Sequence, residues 1–514
     1  MPRQRELPPT DGYIILQFPQ GWGGQNSDSP ADILAPGQLS AAVDIYHRGP
    51  ELLRREGTYR EPSGQVSAGA TIVAGFAADF STGRKMIVQI DSGFFYQSSG
   101  SHVPWAQMTV AGTPSAFGTP ATFAILGDVV GIATNGGQLL GASSTDHVFA
   151  LDAGLTGVSA APNARFIITY KNSFFAAGHD VSADEVRYSA IGATTGLPVV
   201  TDWYSIGNAG NRLFSQGEGG RIIGLAAGRD EWYVFKPKRT TIVAGSTPTK
   251  WSNLDVDREV GFHHRSVTVV GRGLVGVNED GIFSMLDGKV EPIHLGRLVD
   301  YWRGLSLTNV SAFQTAWSGS RDQLRIITQT SAGQPQMLTG VLEVGRPIAW
   351  YPWPSISARA VWSRLAPDGR GDFYRGDMSG GFVHRMDQGT QDVSANYSAS
   401  FETGILDDGK PWEDKIFRWA WVWGRTRGPW NVSCTFRVHD EDGRPTPLGS
   451  NLRLLDLTSA ASGPDVKRAT YVLDGQYGWG ISFRADFNVS AAGSIHRVVI
   501  GYDVADKGGR GMAR

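Results

Sequence analysis

Residues 266–293 read SVTVVGRGLVGVNEDGIFSMLDGKVEPI, short β-prone runs separated by GRG (271–273), NEDG (278–281) and LDG (286–288). Three turns in so short a stretch predict a four-stranded antiparallel meander. Glycine suits these turns because a narrow hairpin loop needs positive φ, which a residue without Cβ adopts freely. A meander of this size is one blade of a β-propeller.

Similar hairpin cores lie on both sides of it. Upstream are MIVQIDSGFFYQSS from Met86, LGDVVGIATNGGQLLGA from Leu126, ARFIITYKNSFFAAG from Ala164 and RIIGLAAGRDEWYVFKPKRTTIVAG from Arg221. Downstream are QLRIITQTSAGQPQMLTGVLEV from Gln323 and DFYRGDMSGGFVHRMD from Asp372. Their spacing, roughly 40 to 55 residues, fits blades of four strands. Counting the central meander gives about seven cores, hence an all-β chain with a propeller of six to eight blades. A large β-sandwich or several small sheets is the competing reading. One short helical segment, GRLVDYWRGL from Gly296, interrupts the pattern.

From about Ser394 the strands lengthen. KIFRWAWVWG (415–424) alternates, predicting Phe417, Trp419, Trp421 and Trp423 on one face and Arg418, Ala420 and Val422 on the other. NVSCTFRVHDEDG (431–443) sets Val432, Cys434, Phe436 and Val438 on one face, and ISFRADFN (481–488) sets Ile481, Phe483, Ala485 and Phe487 inward. Such half-buried strands fit a sandwich. The expected organisation is an N-terminal arm with first strands (1–68), a β-propeller (69–390) and a C-terminal β-sandwich (391–514).

Composition agrees with a packed, turn-rich protein. The 514 residues include 66 Gly, 16 Trp and 23 Phe, with 19% charged residues. The formal net charge of −2 supplies no long-range attraction for phosphates in general. The single cysteine, Cys434, excludes an intramolecular disulfide and a cysteine-based zinc cage, and its place on an apolar face makes it a core residue. The N-terminal MPRQRELPPTDGY lacks the apolar segment of a secretory signal, and no run of about 18 apolar residues occurs. The expectation is a chain made in a cytoplasm without a membrane-spanning segment.

Catalytic motifs are not recognisable: there is no nucleophile elbow, P-loop or His-Glu-x-x-His helix, and no Asp-box turn of the sialidase kind. Neither a cofactor nor a metal is expected. His263 and His264 are adjacent and in a strand would face opposite ways, so packing is their expected role. The acidic run after His439 lacks calcium-loop spacing and reads as a hairpin tip. Arg370, Gly371 and Asp372 form an RGD triplet by chance in a Gly-rich chain. Trp105, Trp203, Trp251 and Trp302 are candidate sugar-stacking residues, with burial between blades as their competing role.

The segment from Gly21 to Glu61 resembles the opening of a family of bacteriophage tail proteins. The positions carrying the resemblance are Gly23, Gly24, Asn26, Ser29 and Pro30, then Pro36 and Gly37, then Val43 and Asp44, then Leu53, Arg55 and Gly57. Two positions depart from the pattern: Ala42 stands where Asn is usual, and Glu56 where Pro is usual. Further stretches follow the same family in order, including TDWYSIG from Thr201, WYVFKPKRTTIVAG from Trp232 and FETGILDDGKPWEDKIFRWAWVW from Phe401.

The resemblance implies a virion structural protein of the nozzle, hub or tip, without enzymatic activity. It would be made in the host cytoplasm and built into the tail as a homo-oligomeric ring, often of six copies, around the DNA exit channel. Its partners would be an adaptor, fibres and DNA that slides through without sequence-specific binding. A closed ring needs two different, complementary faces on each subunit, and the arm before Gly69 is the first candidate for such a contact. The alternatives are a carbohydrate-binding or fibre-docking propeller for receptor attachment and, behind it, a glycan hydrolase with carboxylates converging on the channel.

Overall fold

The fold is taken from a computed structural model. It describes residues 10–17, 24–25, 34, 38–48, 51–61, 64–98, 103–108, 120–134, 147–151, 157–158, 164–178, 183–191, 198–199, 210–214, 218–245, 250–293, 298–342, 349–365, 371–387, 392, 397–426, 431–440, 445–446, 453–456, 466–487 and 493–505.

The 266–293 stretch forms four antiparallel strands, Val267–Val270, Gly273–Asn278, Gly281–Leu286 and Lys289–Pro292. Its turns behave as glycine chemistry requires. Gly271 has φ +61°, and Asp287 and Gly288 have φ +51° and +75°, both central residues of the last turn lying in the left-handed region that two-residue hairpins favour.

Among the described residues, seven such four-stranded sheets follow one another along the chain. They open with Ile72–Phe80, Thr122–Leu126, Phe166–Tyr170, Gly224–Ala227, Val267–Val270, Gln314–Ser318 and Ala360–Leu365, and are numbered here blades 1 to 7. Opening strands of successive blades contact one another, and that of blade 7 contacts that of blade 1, so the series closes into a ring with these strands innermost. The chain is therefore a seven-bladed β-propeller followed by a β-sandwich.

Most blade interfaces bury an apolar cluster of their own, while that of blades 6 and 7 shares the sandwich core. Phe94 and Met108 of blade 1 meet Val130 and Ile132 of blade 2. Phe175 of blade 3 lies 4.9 Å from Trp232 of blade 4, ring centroid to centroid. Phe235 and Phe262 meet Phe283 across the interface of blades 4 and 5. Ile72 and Val88 meet Trp362 and Tyr374 where blade 1 joins blade 7. Facing sheets that each bury a row of aromatic and β-branched side chains have no stable existence singly, so the ring holds by mutual burial.

The ring is closed by the N-terminus. Blade 7 contributes Ala360–Leu365, Gly371–Gly376 and Val383–Met386, and its fourth strand is Thr58–Arg60, with His384 opposite Arg60 and Met386 opposite Thr58. Other N-terminal strands enter the sandwich. Gly12–Gln17 pairs with Gly493–Val504, and Glu51–Arg54 pairs with the same strand and with Ile45–Arg48. Gln38–Val43 pairs with Ala399–Thr403 in the opposite sheet. The described strands before Gly69 are thus shared between the two β units of their own chain.

The sandwich consists of a six-stranded sheet around Gly493–Val504 and Lys415–Thr426, and a seven-stranded sheet around Gly480–Phe487 and Asn431–His439. Val432, Cys434, Phe436, Val438, Ile481, Phe483, Ala485 and Phe487 all point into its core, as their alternation predicts. The same core runs on into blades 6 and 7 through Met337, Tyr351, Trp353 and Phe373.

The alternation of 415–424 fails at one point. A register shift between Phe417 and Trp419 leaves Arg418 as the extra residue of a β-bulge. Phe417, Ala420 and Val422 consequently share the interior, while Trp419, Trp421 and Trp423 stack on the outer face with Tyr13 and Val499. One inserted residue reverses every side chain beyond it, so a strict period of two cannot survive a bulge.

Candidate functional site: a knot at the domain junction and an arginine-lined channel mouth

Asp44 ends the strand Gln38–Val43 in a left-handed conformation, φ +52°, which turns the chain into Ile45–Arg48 and aims its carboxylate inward. Arg55 follows the partner strand. Its Nε donates to Asp44 Oδ1 at 2.8 Å, Nη1 to Asp392 Oδ1 at 2.9 Å, and Nη2 to Ser355 Oγ at 2.7 Å and to the second oxygen of Asp392. Both members of the Arg55–Asp44 pair are buried. Burial alone would lower the Arg55 pKa, but the Asp392 hydrogen bond and the Asp44 charge hold it above its ordinary value. The guanidinium therefore stays charged.

Tyr397, at the start of the sandwich, completes the knot. The guanidinium carbons of Arg54 and Arg55 lie 3.8 and 3.7 Å from its ring centroid, so the ring is held between two cations. Its hydroxyl donates to the Arg55 carbonyl, and its own carbonyl accepts from Arg54 Nη2 at 2.8 Å. A second set adjoins it. Arg325 of blade 6 donates to Asp387 Oδ1 at 2.6 Å and sits over the Phe373 ring at 4.0 Å, and Arg321 pairs with Glu56 at 3.2 Å. These contacts tie the arm, blade 6, the end of blade 7 and the sandwich together.

The sequence-predicted positions fall on this junction unevenly. Val43 and Asp44, Leu53 against the sandwich core, Arg55, and the buried Gly57 all lie within it. Gly24 lies in the short parallel strand Gly24–Gln25 beside Gln38–Leu39. Gly23, Asn26, Ser29, Pro30, Pro36 and Gly37 lie outside the described residues. The departures have local roles: Ala42 is buried in the sandwich core, where an Asn would need hydrogen-bond partners, and Glu56 takes Arg321 as its ion pair.

A cavity of about 530 Å³ opens where the seven inner strands begin. It is lined by Arg165 of blade 3, Arg221 of blade 4, His263, His264 and Arg265 of blade 5, and Arg359 of blade 7, and among the described residues no Asp or Glu lines it. Arg265 reaches across the mouth, donating through Nη2 to Gln314 Oε1 at 2.6 Å and to the Val73 carbonyl at 3.2 Å. Burial lowers its pKa to about 10, so it remains protonated at neutral pH. His264 accepts the Leu225 N–H through Nδ1 at 3.2 Å and stacks on Phe166 at 5.3 Å. Burial, aided by the Arg265 charge, lowers its pKa to about 4, and His263 is also shifted down by burial. At neutral pH neither histidine adds to the positive charge of Arg265.

Sequence reasoning missed this ring, although a signal exists. In register with the repeats, RFIITY, RIIG, RSVTVV and RAVW each place Arg one to three residues ahead of an opening strand.

Other candidates resolve structurally. Trp302 is buried between blades 5 and 6, where its indole N–H donates to the Glu279 carbonyl, while Trp251 packs between blades 3 and 4 and Trp105 against the interface of blades 7 and 1. Trp203 and Arg370 lie outside the described residues. Asp372 is buried and pairs with Arg385 at 2.5 Å. Cys434 is fully buried, and burial raises its thiol pKa to about 12. Among the described residues no cluster of His, Cys, Asp and Glu could hold a metal ion, and no helix is long and apolar enough to cross a membrane.

No known protein family matches the chain, and no curated protein sequence matches it. Solved structures of propeller type do. Hsv2 of Kluyveromyces lactis matches at 10% identity over 65% of this chain and 93% of its own, with a TM-score of 0.36. A chain of a mitotic checkpoint complex matches at 9% identity over 65% and 92%, TM-score 0.37. An exo-β-1,3-galactanase of Phanerochaete chrysosporium matches at 8% identity over 68% and 97%, TM-score 0.25.

Proposed function

We propose that the chain is a structural protein of a phage tail, a segment of a homo-oligomeric ring of nozzle, hub or tip type around the DNA exit channel. The observation that supports this reading is the junction knot. Residues that carry the tail-protein resemblance, Asp44 and Arg55, are the ones that lock the arm to both β units through a buried ion pair. A part under mechanical load needs its domains fixed to one another, and in this reading the buried, hydrogen-bonded charge pair serves to specify one arrangement of them.

The ring itself, its copy number and its adaptor and fibre partners belong to this proposal. Electron microscopy of purified particles with the chain labelled tests it: density assigned to the tail supports the reading, and absence from the tail overturns it. Light scattering after size-exclusion chromatography adds the oligomeric state. A stable monomer that binds a glycan array tightly would instead favour the receptor-attachment alternative.

A further inference from the structure

We propose that the channel mouth of the propeller is a binding site for a compact oligophosphate, a ligand of two or three linked phosphoryl groups. Four arginines from four blades line one cavity, and no carboxylate is among its described lining residues. Among the described residues, no carboxylate pairs with Arg221, Arg265 or Arg359, although this is a chain in which Arg55, Arg239, Arg325, Arg385, Arg418 and Arg484 all have acidic partners. The like charges of Arg221, Arg265 and Arg359 share one cavity without a described counter-charge, and a bound multivalent anion is the natural compensation.

Bracing the ring explains Arg265, whose Nη2 meets acceptors from blades 1, 6 and 7, including the Arg359 carbonyl at 3.5 Å. It does not explain Arg221 and Arg359, whose side chains are exposed at the mouth. Guanidinium groups present planar pairs of donors that match phosphoryl oxygens, and a cavity of about 530 Å³ has the size of small-ligand sites. The face is set by the fold: the residues concerned stand at the start of the innermost strands, so a ligand there would bridge blades 3, 4, 5 and 7.

The test is calorimetric titration of the full chain with sodium tripolyphosphate and, separately, with a nucleoside triphosphate, in a phosphate-free buffer at fixed ionic strength. The double variant Arg221→Gln/Arg359→Gln, altered at exposed positions, is run beside the parent after circular dichroism and melting confirm that it is folded. Saturable one-site binding of tripolyphosphate, weakened at least tenfold in the variant, supports the site. Equal affinity for both ligands identifies the phosphates as the whole determinant; tighter binding of the nucleotide adds a contact to its nucleoside. No saturable binding of either ligand, or affinity unchanged in the folded variant, overturns the proposal. Neither result bears on whether the chain resides in a tail.

Discussion

Arg55 and Asp44, eleven residues apart in sequence, face each other at 2.8 Å with both side chains buried, and the arginine is at the same time bonded to Asp392, more than three hundred residues away. One guanidinium thus joins the beginning of the chain to the link between propeller and sandwich.

Removing it strands the buried carboxylate of Asp44 and the partly buried one of Asp392. Arg55→Met is expected to cost about 3–5 kcal/mol in urea unfolding, because each stranded charge loses its compensation. Arg55→Lys should recover little, since an ammonium cannot reproduce the three-sided bonding. The triple variant Arg55→Met/Asp44→Asn/Asp392→Asn should regain a large part of the loss. A single variant within 0.5 kcal/mol of the parent would contradict this account.

Gly381 has φ +66°, and a Cβ there would come 1.8 Å from the Ser67 carbonyl oxygen. Backbone cannot step aside as a flexible side chain can. Gly381→Ala is expected to lower stability by about 2 kcal/mol or more, loosening the seam between blades 1 and 7. Differential scanning calorimetry and hydrogen exchange at 66–72 report it.

Stability should fall as pH drops from about 6.5 to 4. His264 and His384 both have pKa values lowered to about 4, His264 by burial beside Arg265 and His384 by burial beside Arg375 and Arg60, partly offset by Asp377. A histidine that resists protonation when folded but accepts a proton near 6.5 when unfolded contributes fully above 6.5, and loses that contribution on the way down to 4. The melting temperature should fall by a few degrees between pH 7 and pH 5, and His264→Asn should flatten the slope. A flat profile in the parent would refute the assignment.

Cys434 should be inert to a thiol reagent in the folded protein and react on unfolding, because it is fully buried with its thiol pKa near 12. Labelling within minutes under native conditions would show that the sandwich opens.

The sequence carried the repeat well where turns are short, as in 266–293, because glycine and Asp-Gly pairs mark them locally. It carried the sandwich faces of 432–438 and 481–487 for the same reason of simple alternation. The reversal at Arg418 was not legible, since nothing in KIFRWAWVWG marks which residue is extruded. The partner of Thr58–Arg60 was hidden too: it lies across the whole propeller, and a fourth strand missing from the last repeat is visible only once blades are counted. The arginine mouth is assembled from four separate repeats, so no local motif announces it.

That closure has a consequence for how the protein is made. Gly12 lies opposite Tyr502, and Asp11 accepts a hydrogen bond from the Val504 amide at 3.0 Å. Gly12–Gln17 and Thr58–Arg60 are therefore synthesised well before the strands they pair with, and blade 7 lacks its outer edge unless residues 58–60 have stayed available. Unpaired strand edges held open through elongation are sticky. Pairing of these edges is thus completed only once residues 493–504 have been made, so the early edges stay unpaired through the synthesis of everything between.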